Sequence, residues 1–190
     1  MKLSAVLLAG GESRRMGADK ATAVFRGQPL WRHQIDLLRA MNPLEILISA
    51  RTDPRWRPPD TAFIPDEVSL RGPLGGLAAA LQRMKGTHLL ALAVDMPLMS
   101  VSFLKSMVAT TETKQGILPK IGERAEPLAA IYPVRCSAAI SAALRGDDWS
   151  LQPLAENLVR SGHLRVLEVK SADEPLFCSL NTPEDLLAQA

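Results

Sequence analysis

The sequence predicts an α/β fold, a single domain in which a mostly parallel, twisted sheet carries helices on both faces. Three observations lead there. Short apolar runs alternate with helix-like stretches through at least the first 110 residues, the order produced when each strand is followed by a crossover helix. The first and the most central of these runs stop at Gly10-Gly11 and at Asp95, placing turn-forming and charged residues where loops leave strand ends. Finally, 190 residues with 47% hydrophobic content suffice for one core. No internal repeat, low-complexity tract or linker divides them, so residues 1–190 are read as one unit.

Taken in order, "LSAVLLA" (3–9) is a buried strand feeding a glycine loop. "GQPLWRHQIDLLRAM" (27–41) is a helix, with Pro29 at the first helical position and Leu30, Leu37, Leu38 and Met41 near helical spacing. "LEILIS" (44–49) is a second buried strand. "RTDPRWRPPD" (51–60), with three prolines, is an irregular loop. A weak strand "AFIPD" ends at Asp66. After "GPLGG" (72–76), the Ala- and Leu-rich "LAAALQRMK" reads as a helix closed by Gly86. "HLLALAV" (88–94) is the central strand, followed by Asp95 and Pro97. Ser100 or Ser102 caps the helix "FLKSMVAT". Short strands are expected near 116–119 and 127–132, an Ala-rich helix after Cys136, a helix around 152–161 and the strand "LRVLEV" (164–169). "NTPEDLLAQA" closes the chain as a helix, with Thr182 as cap, Pro183 first and acids in the first turn.

The totals exclude several functions. Cys136 and Cys178 form no CxxC and have no histidine nearby, so they are expected to be ordinary, mostly buried thiols of a reducing compartment rather than a zinc or redox pair. The N-terminal apolar run is far too short to cross a membrane and lacks a cleavage site; a cytoplasmic protein without membrane partners is expected. Net charge is +2, from 22 basic and 20 acidic residues, too balanced for bulk nucleic-acid binding. Aromatics, at 4%, are too scarce for a single-strand stacking platform. His33, His88 and His163 have no metal-ligand neighbours in sequence and are assigned structural or solvent roles.

The stretch "LLAGGESRRMGADK" (7–20) concentrates glycines and basic side chains just after a strand. It is not GxxxxGK[ST], because Gly17 is followed by "ADKA", nor GxGxxG, because Gly10 and Gly11 are adjacent. Two readings stay open for it: a solvated turn, or a cradle in which backbone N–H groups and the charges of Arg15 and Lys20 meet phosphate oxygens. Asp95, beyond an apolar strand, is either a turn or capping aspartate or a ligand holding Mg²⁺ against phosphates. "GPLGG" is either a helix-start turn or a close-approach backbone for a sugar or phosphate.

Together these elements resemble one family, the molybdenum cofactor guanylyltransferases, within the nucleotidyltransferases of Rossmann-like fold. "LAGGESRRMGADK" (8–20) is similar to that family's LAGGxSxRMGxDK. "GPLGG", "VDMP" (94–97), "GERAEPLAAIY" (122–132) and "LNTPEDL" (180–186) extend the likeness over nearly the whole chain. The resemblance implies a nucleotide-binding N-terminal part and a pterin-binding C-terminal part. In the first, Leu8, Ala9 and Gly10 line the base and Gly11 the phosphates, Lys20 neutralises the triphosphate, Asp66 helps hold the nucleoside, Asp95 binds Mg²⁺ and Arg15 stabilises charge at the reacting phosphates. In the second, Asn181 lies near the pterin. Three positions depart from the family pattern: Ser49 and Ser179 stand where asparagines are expected, and Glu126 where a histidine often precedes the proline.

The implied reaction is transfer of GMP from GTP to the phosphate of molybdopterin, with pyrophosphate leaving. Such an acceptor phosphate is already ionised at neutral pH, so alignment and charge neutralisation suffice without a nucleophile and base pair. The alternatives are CTP or another phosphate acceptor, or a nucleotide-binding adaptor without catalysis. Molybdenum-insertion proteins and molybdoenzyme chaperones are the protein partners implied.

Overall fold

The computed structural model describes residues 1–10, 19–66, 72–182 and Asp185. Its sheet is organised by period-two alternation in strands buried on both faces. In β1 (Leu3–Leu8), Leu3, Ala5 and Leu7 enter one apolar cluster while Val6 and Leu8 enter another on the opposite face. A strand with no solvent face carries no polar alternation. Ser4, fully buried, is accommodated because its hydroxyl donates to Glu45 Oε1 at 2.9 Å and accepts from the Gly86 N–H at 2.9 Å. Each fully buried leucine, such as Leu7, contributes about 2 kcal/mol.

The remaining sheet strands are β4 (Ile46–Ala50), β5 (Ala62–Pro65), β6 (His88–Ala93), β7 (Gly116–Ile121), β8 (Arg124–Ala125), β9 (Ala129–Pro133) and β10 (Leu164–Glu168), while β2 (Val24–Phe25) and β3 (Gln28–Pro29) form a separate hairpin. Among the described residues the sheet order is β10-β7-β9-β6-β1-β4-β5, with β8 beside β7. β1 pairs in parallel with β4 and β6, β4 with β5, and β7 with β10; β9 runs antiparallel to β6 and β7. The mostly parallel expectation holds, with β9 and the short β8 as the reversals.

Helices cover both faces. α1 (Leu30–Arg39) and α3 (Val101–Thr110) pack Leu30, Ile35, Leu38, Phe103, Leu104 and Met107 on one side. α2 (Pro73–Arg83), α4 (Ser137–Arg145) and α5 (Leu151–Arg160) pack Leu74, Leu77, Ile140, Leu154 and Leu158 on the other. Ser100 is the cap of α3, its hydroxyl accepting the Phe103 N–H at 3.2 Å.

Several local readings are corrected. Pro29 caps α1 instead of opening it: its extended backbone (φ −66, ψ 147) belongs to β3, paired with Val24 across a turn at Arg26 and Gly27, both with positive φ. This hairpin-type turn holds strands too short to show periodicity. α2 begins at Pro73, so Gly75 and Gly76 lie inside the helix rather than before it, and it ends at Arg83, Met84 turning extended ahead of Gly86. Gly76 is needed for packing: a Cβ there would sit 2.4 Å from Ser49 Oγ and 3.1 Å from Leu8 Cδ2. Cys136 is buried, but Cys178 is exposed, because it begins the strap of residues 178–181 that follows a 3-10 segment, Ser171–Phe177. At the C-terminal end Thr182 Oγ1 accepts the Asp185 N–H at 3.2 Å, the bond expected of the cap; the rest of that expected helix lies outside the described residues. No described helix is long and apolar enough to cross a membrane.

Candidate active site

Strand order reverses at β1: the chain moves outward to β4 and β5, then returns to add β6 on the other side. Open α/β sheets leave a crevice at such a point, outside the carboxyl ends of the strands. The structure has a cleft of about 230 Å³ there, and Leu8, Ala9, Gly10, Lys20, Asp95 and Asn181 all line it. Six residues named from the sequence thus meet in one place. Ala93, Val94, Pro73 and Leu128 complete the lining; Pro73, Val94 and Leu128 lie within quoted motifs, but none of the four carried an assigned role of its own.

Each wall has a backbone reason to be where it is. The Ala9 N–H donates to Ser49 O at 2.9 Å, and the Val94 N–H donates to Leu8 O at 3.1 Å, extending strand pairing to the rim. Asp95 comes directly after that last bond, and its own carbonyl accepts the Leu180 N–H at 2.9 Å. The strap carrying Asn181 is therefore tied to the turn carrying Asp95. Asp185 ties it again, accepting from the Asn181 N–H at 2.7 Å and the Thr182 N–H at 2.9 Å. These donors hold the Asp185 carboxyl below its ordinary range.

Lys20 opens a short 3-10 turn, Lys20–Thr22, capped by Asp19, whose Oδ1 accepts the Ala21 N–H at 3.0 Å. From this turn the ammonium donates to Asp95 Oδ2 at 2.7 Å and to Asn181 Oδ1 at 2.7 Å. The Lys20 and Asp95 side chains are 15% and 22% exposed, so the pair is shielded yet open to a ligand. Three segments far apart in the chain converge on one cation. The N-terminus of α2, at Pro73, adds a backbone dipole whose positive end favours anions.

Asp66 follows β5, with its N–H donating to Ala50 O at 2.9 Å. Its Oδ2 lies 3.2 Å from where a Cβ on Gly10 would stand. It backs Gly10 rather than lining the cleft. Arg15 and Gly11 lie outside the described residues. Ser49 is buried beneath Gly76, with its carbonyl engaged by Ala9.

Beside this cleft, with Leu128 in both walls, lies a second cavity of about 260 Å³ lined by Met96, Arg124, Glu126, Gln152 and Ser179. Two positions that depart from the family pattern, Glu126 and Ser179, therefore share it. Glu126 is 7% exposed; Arg124 Nη2 is 2.6 Å from its Oε1, though that oxygen has no hydrogen bond of good geometry. Burial pushes the Glu126 carboxyl above its ordinary range, opposed in part by the Arg124 charge.

Among the described residues no three His, Cys, Asp or Glu side chains converge as a metal cage. Asp95 brings a single carboxylate to the cleft. One carboxylate suits Mg²⁺, which commonly takes one or two protein carboxylates and completes its shell with substrate phosphates and water.

Comparison with known proteins places this architecture. The MobA-like NTP transferase domain matches residues 5–162. A relative from Opitutus terrae named "Probable molybdenum cofactor guanylyltransferase" is 34% identical over 186 residues, covering 96% of this chain and 92% of its own length. Among solved structures, molybdopterin-guanine dinucleotide biosynthesis protein A from Archaeoglobus fulgidus superposes with a TM-score of 0.74 at 21% identity, covering 98% of this chain and 96% of that one. A nucleotidyl transferase from Methanothermobacter thermautotroptrophicus reaches 0.77 at 15% identity, covering 98% and 95%. Both structural likenesses concern the fold. With its domain matched over residues 5–162, this chain belongs to the MobA-like NTP transferase family, enzymes of the nucleotidyltransferase superfamily with a Rossmann-like fold.

Proposed function

We propose that the protein transfers GMP from GTP to the terminal phosphate of molybdopterin, in the cytoplasm, forming a molybdopterin guanine dinucleotide and releasing pyrophosphate. The observation that carries this reading is the convergence of Lys20, Asp95 and Asn181 at the β1/β6 crevice. The name of the Opitutus terrae relative supports the guanylyl and molybdenum cofactor parts.

In this reading the acceptor phosphate oxygen forms a bond to the α-phosphorus as the bridging bond to the β-phosphate breaks. The acceptor is already ionised, so no side chain has to remove a proton. Lys20 holds negative charge on the triphosphate, and its contact with Asn181 couples that charge to the strap on the acceptor side. Leu8, Ala9 and Gly10 present apolar surface and backbone for the base, Arg15 and Gly11 add donors toward the phosphates, and Asp66 supports the nucleoside side behind Gly10. Asp95 is the residue to hold Mg²⁺, which supplies neutralisation of phosphate charge when bound. The second cavity, with Arg124, Glu126 and Ser179, is the place for the acceptor. Molybdenum-insertion proteins, which would supply a molybdenum-bearing acceptor, and molybdoenzyme chaperones, which would take the product, are the protein partners this reaction implies.

The test is reconstitution with molybdopterin, Mg²⁺ and each of GTP, CTP and UTP, reading the dinucleotide and pyrophosphate formed. Guanine dinucleotide from GTP alone is expected. Product from CTP instead replaces the guanylyl reading with a cytidylyl one. Nucleotide binding without pyrophosphate favours a non-catalytic adaptor.

A further inference from the structure

We propose that Trp56 is a positioning residue for Lys20, acting through Asp19. The proposal rests on the reading of Lys20 as the side chain that holds the triphosphate. The turn that presents Lys20 is only one 3-10 turn long, and so short a turn has little intrinsic stability. Its geometry depends on what grips it. Asp19 is the grip, and both of its carboxylate oxygens are committed: Oδ1 accepts the Ala21 N–H at 3.0 Å and Oδ2 accepts the Trp56 indole N–H at 2.9 Å. The Asp19 carbonyl also accepts from the Thr22 N–H at 2.9 Å and the Thr22 hydroxyl at 2.7 Å. Hence the orientation of the Asp19 carboxylate, and with it the turn, is set from a residue 37 positions along the chain.

Trp56 is itself held as an anchor would be. Its ring stacks on Trp31 of α1 with centroids 5.4 Å apart and planes 11° from parallel. Both indoles are partly buried against the core. The loop carrying Trp56 is braced on either side. Arg57 pairs with Asp53 at 2.6 and 2.9 Å and donates to Thr61 O at 2.6 Å. Arg39 of α1 grips Asp60 through 2.8, 3.0 and 3.2 Å contacts. Exposed ion pairs stabilise a fold little on their own; here they fix one indole against one helix. α1 in turn joins the Lys20 turn, since the Leu30 N–H donates to Ala23 O at 2.9 Å. The path α1, Trp31, Trp56, Asp19, turn, Lys20 is closed by that bond into a ring. A lysine has four rotatable bonds, and aiming its charge at a bound phosphate requires a fixed base to aim from.

The test uses inorganic tripolyphosphate as a metal-free probe of Lys20, measured by calorimetric titration on wild type, Trp56→Phe, Lys20→Ala and the double variant. Trp56→Phe keeps an aromatic ring for the stack and removes the indole donor. It is expected to weaken tripolyphosphate binding about five-fold, to raise the GTP KM with less effect on kcat, and to leave the melting temperature close to wild type. In the Lys20→Ala background the same substitution is expected to change nothing further. Equal binding by wild type and Trp56→Phe overturns the proposal, as does an equal loss with and without Lys20, which would mark a general structural role. A wild-type chain that binds tripolyphosphate but makes no dinucleotide overturns the proposed reaction and leaves the Trp56 result standing. A wild type that does not bind tripolyphosphate overturns the role of Lys20 and this proposal with it.

Discussion

Lys20 Nζ lies 2.7 Å from Asp95 Oδ2, a charge pair joining the end of the glycine-rich stretch to the end of the central strand across 75 residues of sequence. In the proposed reaction a triphosphate entering the cleft would compete with Asp95 for the ammonium, leaving the Asp95 carboxylate to hold a cation. The pair thus neutralises two charges in the free protein that would each serve the nucleotide in that reaction. Asp95→Asn, nearly isosteric, is expected to lower the rate of pyrophosphate release by about 10²–10³-fold while changing unfolding free energy by about 1 kcal/mol, since the pair is partly open to solvent. Parallel rate and urea-unfolding measurements decide it; a variant with wild-type turnover would remove Asp95 from the reaction.

Gly76 and Ser49 make a second prediction, about packing. The helix α2 crosses β4 so closely that a Cβ on Gly76 would overlap Ser49 Oγ at 2.4 Å and press Leu8 Cδ2 at 3.1 Å. Gly76→Ala is therefore expected to cost about 2 kcal/mol by overpacking, even though alanine is the better helix former. Ser49→Ala removes the nearest atom, so combining the two should recover about 1 kcal/mol of that loss. Denaturant unfolding of the two single variants and the pair measures the coupling. Strict additivity would show that the close approach is relieved elsewhere.

Those two contacts mark what was legible in the sequence. Strands buried on both faces leave continuous apolar runs, so β1, β4 and β6 and the helices between them were readable, and with them the crevice. Lys20 and Asp95 stood out as a cation beside a glycine loop and a carboxylate beyond an apolar strand, and Asn181 through the family resemblance alone; the structure brings the three together at one cleft. The place of Gly76 inside α2 was not read, because a glycine that precedes a helix and one that lets the helix approach a neighbouring strand look alike until the helix is in place. The 24–29 hairpin was hidden by strands of two residues, too short for any period. Trp56 and Asp19 were beyond reach: an indole in a proline-rich loop has no local signal for a partner 37 residues away. The two cavities meeting at Leu128 likewise required β9 to lie antiparallel beside β6.

Glu126 predicts a pH dependence. Its carboxyl is held above the ordinary value of 4.5, first by burial, with Arg124 opposing. The folded chain therefore binds this proton more tightly than the unfolded chain does. Below about pH 4.5 both states are protonated and the group contributes no penalty; as pH rises through the folded value, ionisation in the buried setting destabilises the fold. Glu126→Gln is accordingly expected to raise the melting temperature by about 2 °C at neutral pH and to match wild type near pH 4. A gain of equal size at both pH values would assign the effect to packing instead. A destabilising carboxylate in a cavity beside the cleft is what a binding role would produce.

The cysteines give the last prediction, in which position in the fold outweighs residue type. Cys136 is buried between β9 and α4, and burial pushes its thiol up to about 12, against a smaller downward pull from Arg135. Since the thiolate is the reactive form, Cys136 is closed to reagents by both access and ionisation. Cys178 is exposed at the head of the strap that carries Asn181. Native protein near pH 8 is expected to release one equivalent of chromophore from a disulfide reagent quickly, with the second of its two cysteines appearing only on unfolding. Cys178→Ser should abolish the fast equivalent and Cys136→Ser should leave it. Two fast equivalents in the native protein would mean that the β9–α4 layer opens on the timescale of labelling, and that the apolar face built on Ile140 and Leu154 is looser than its burial implies.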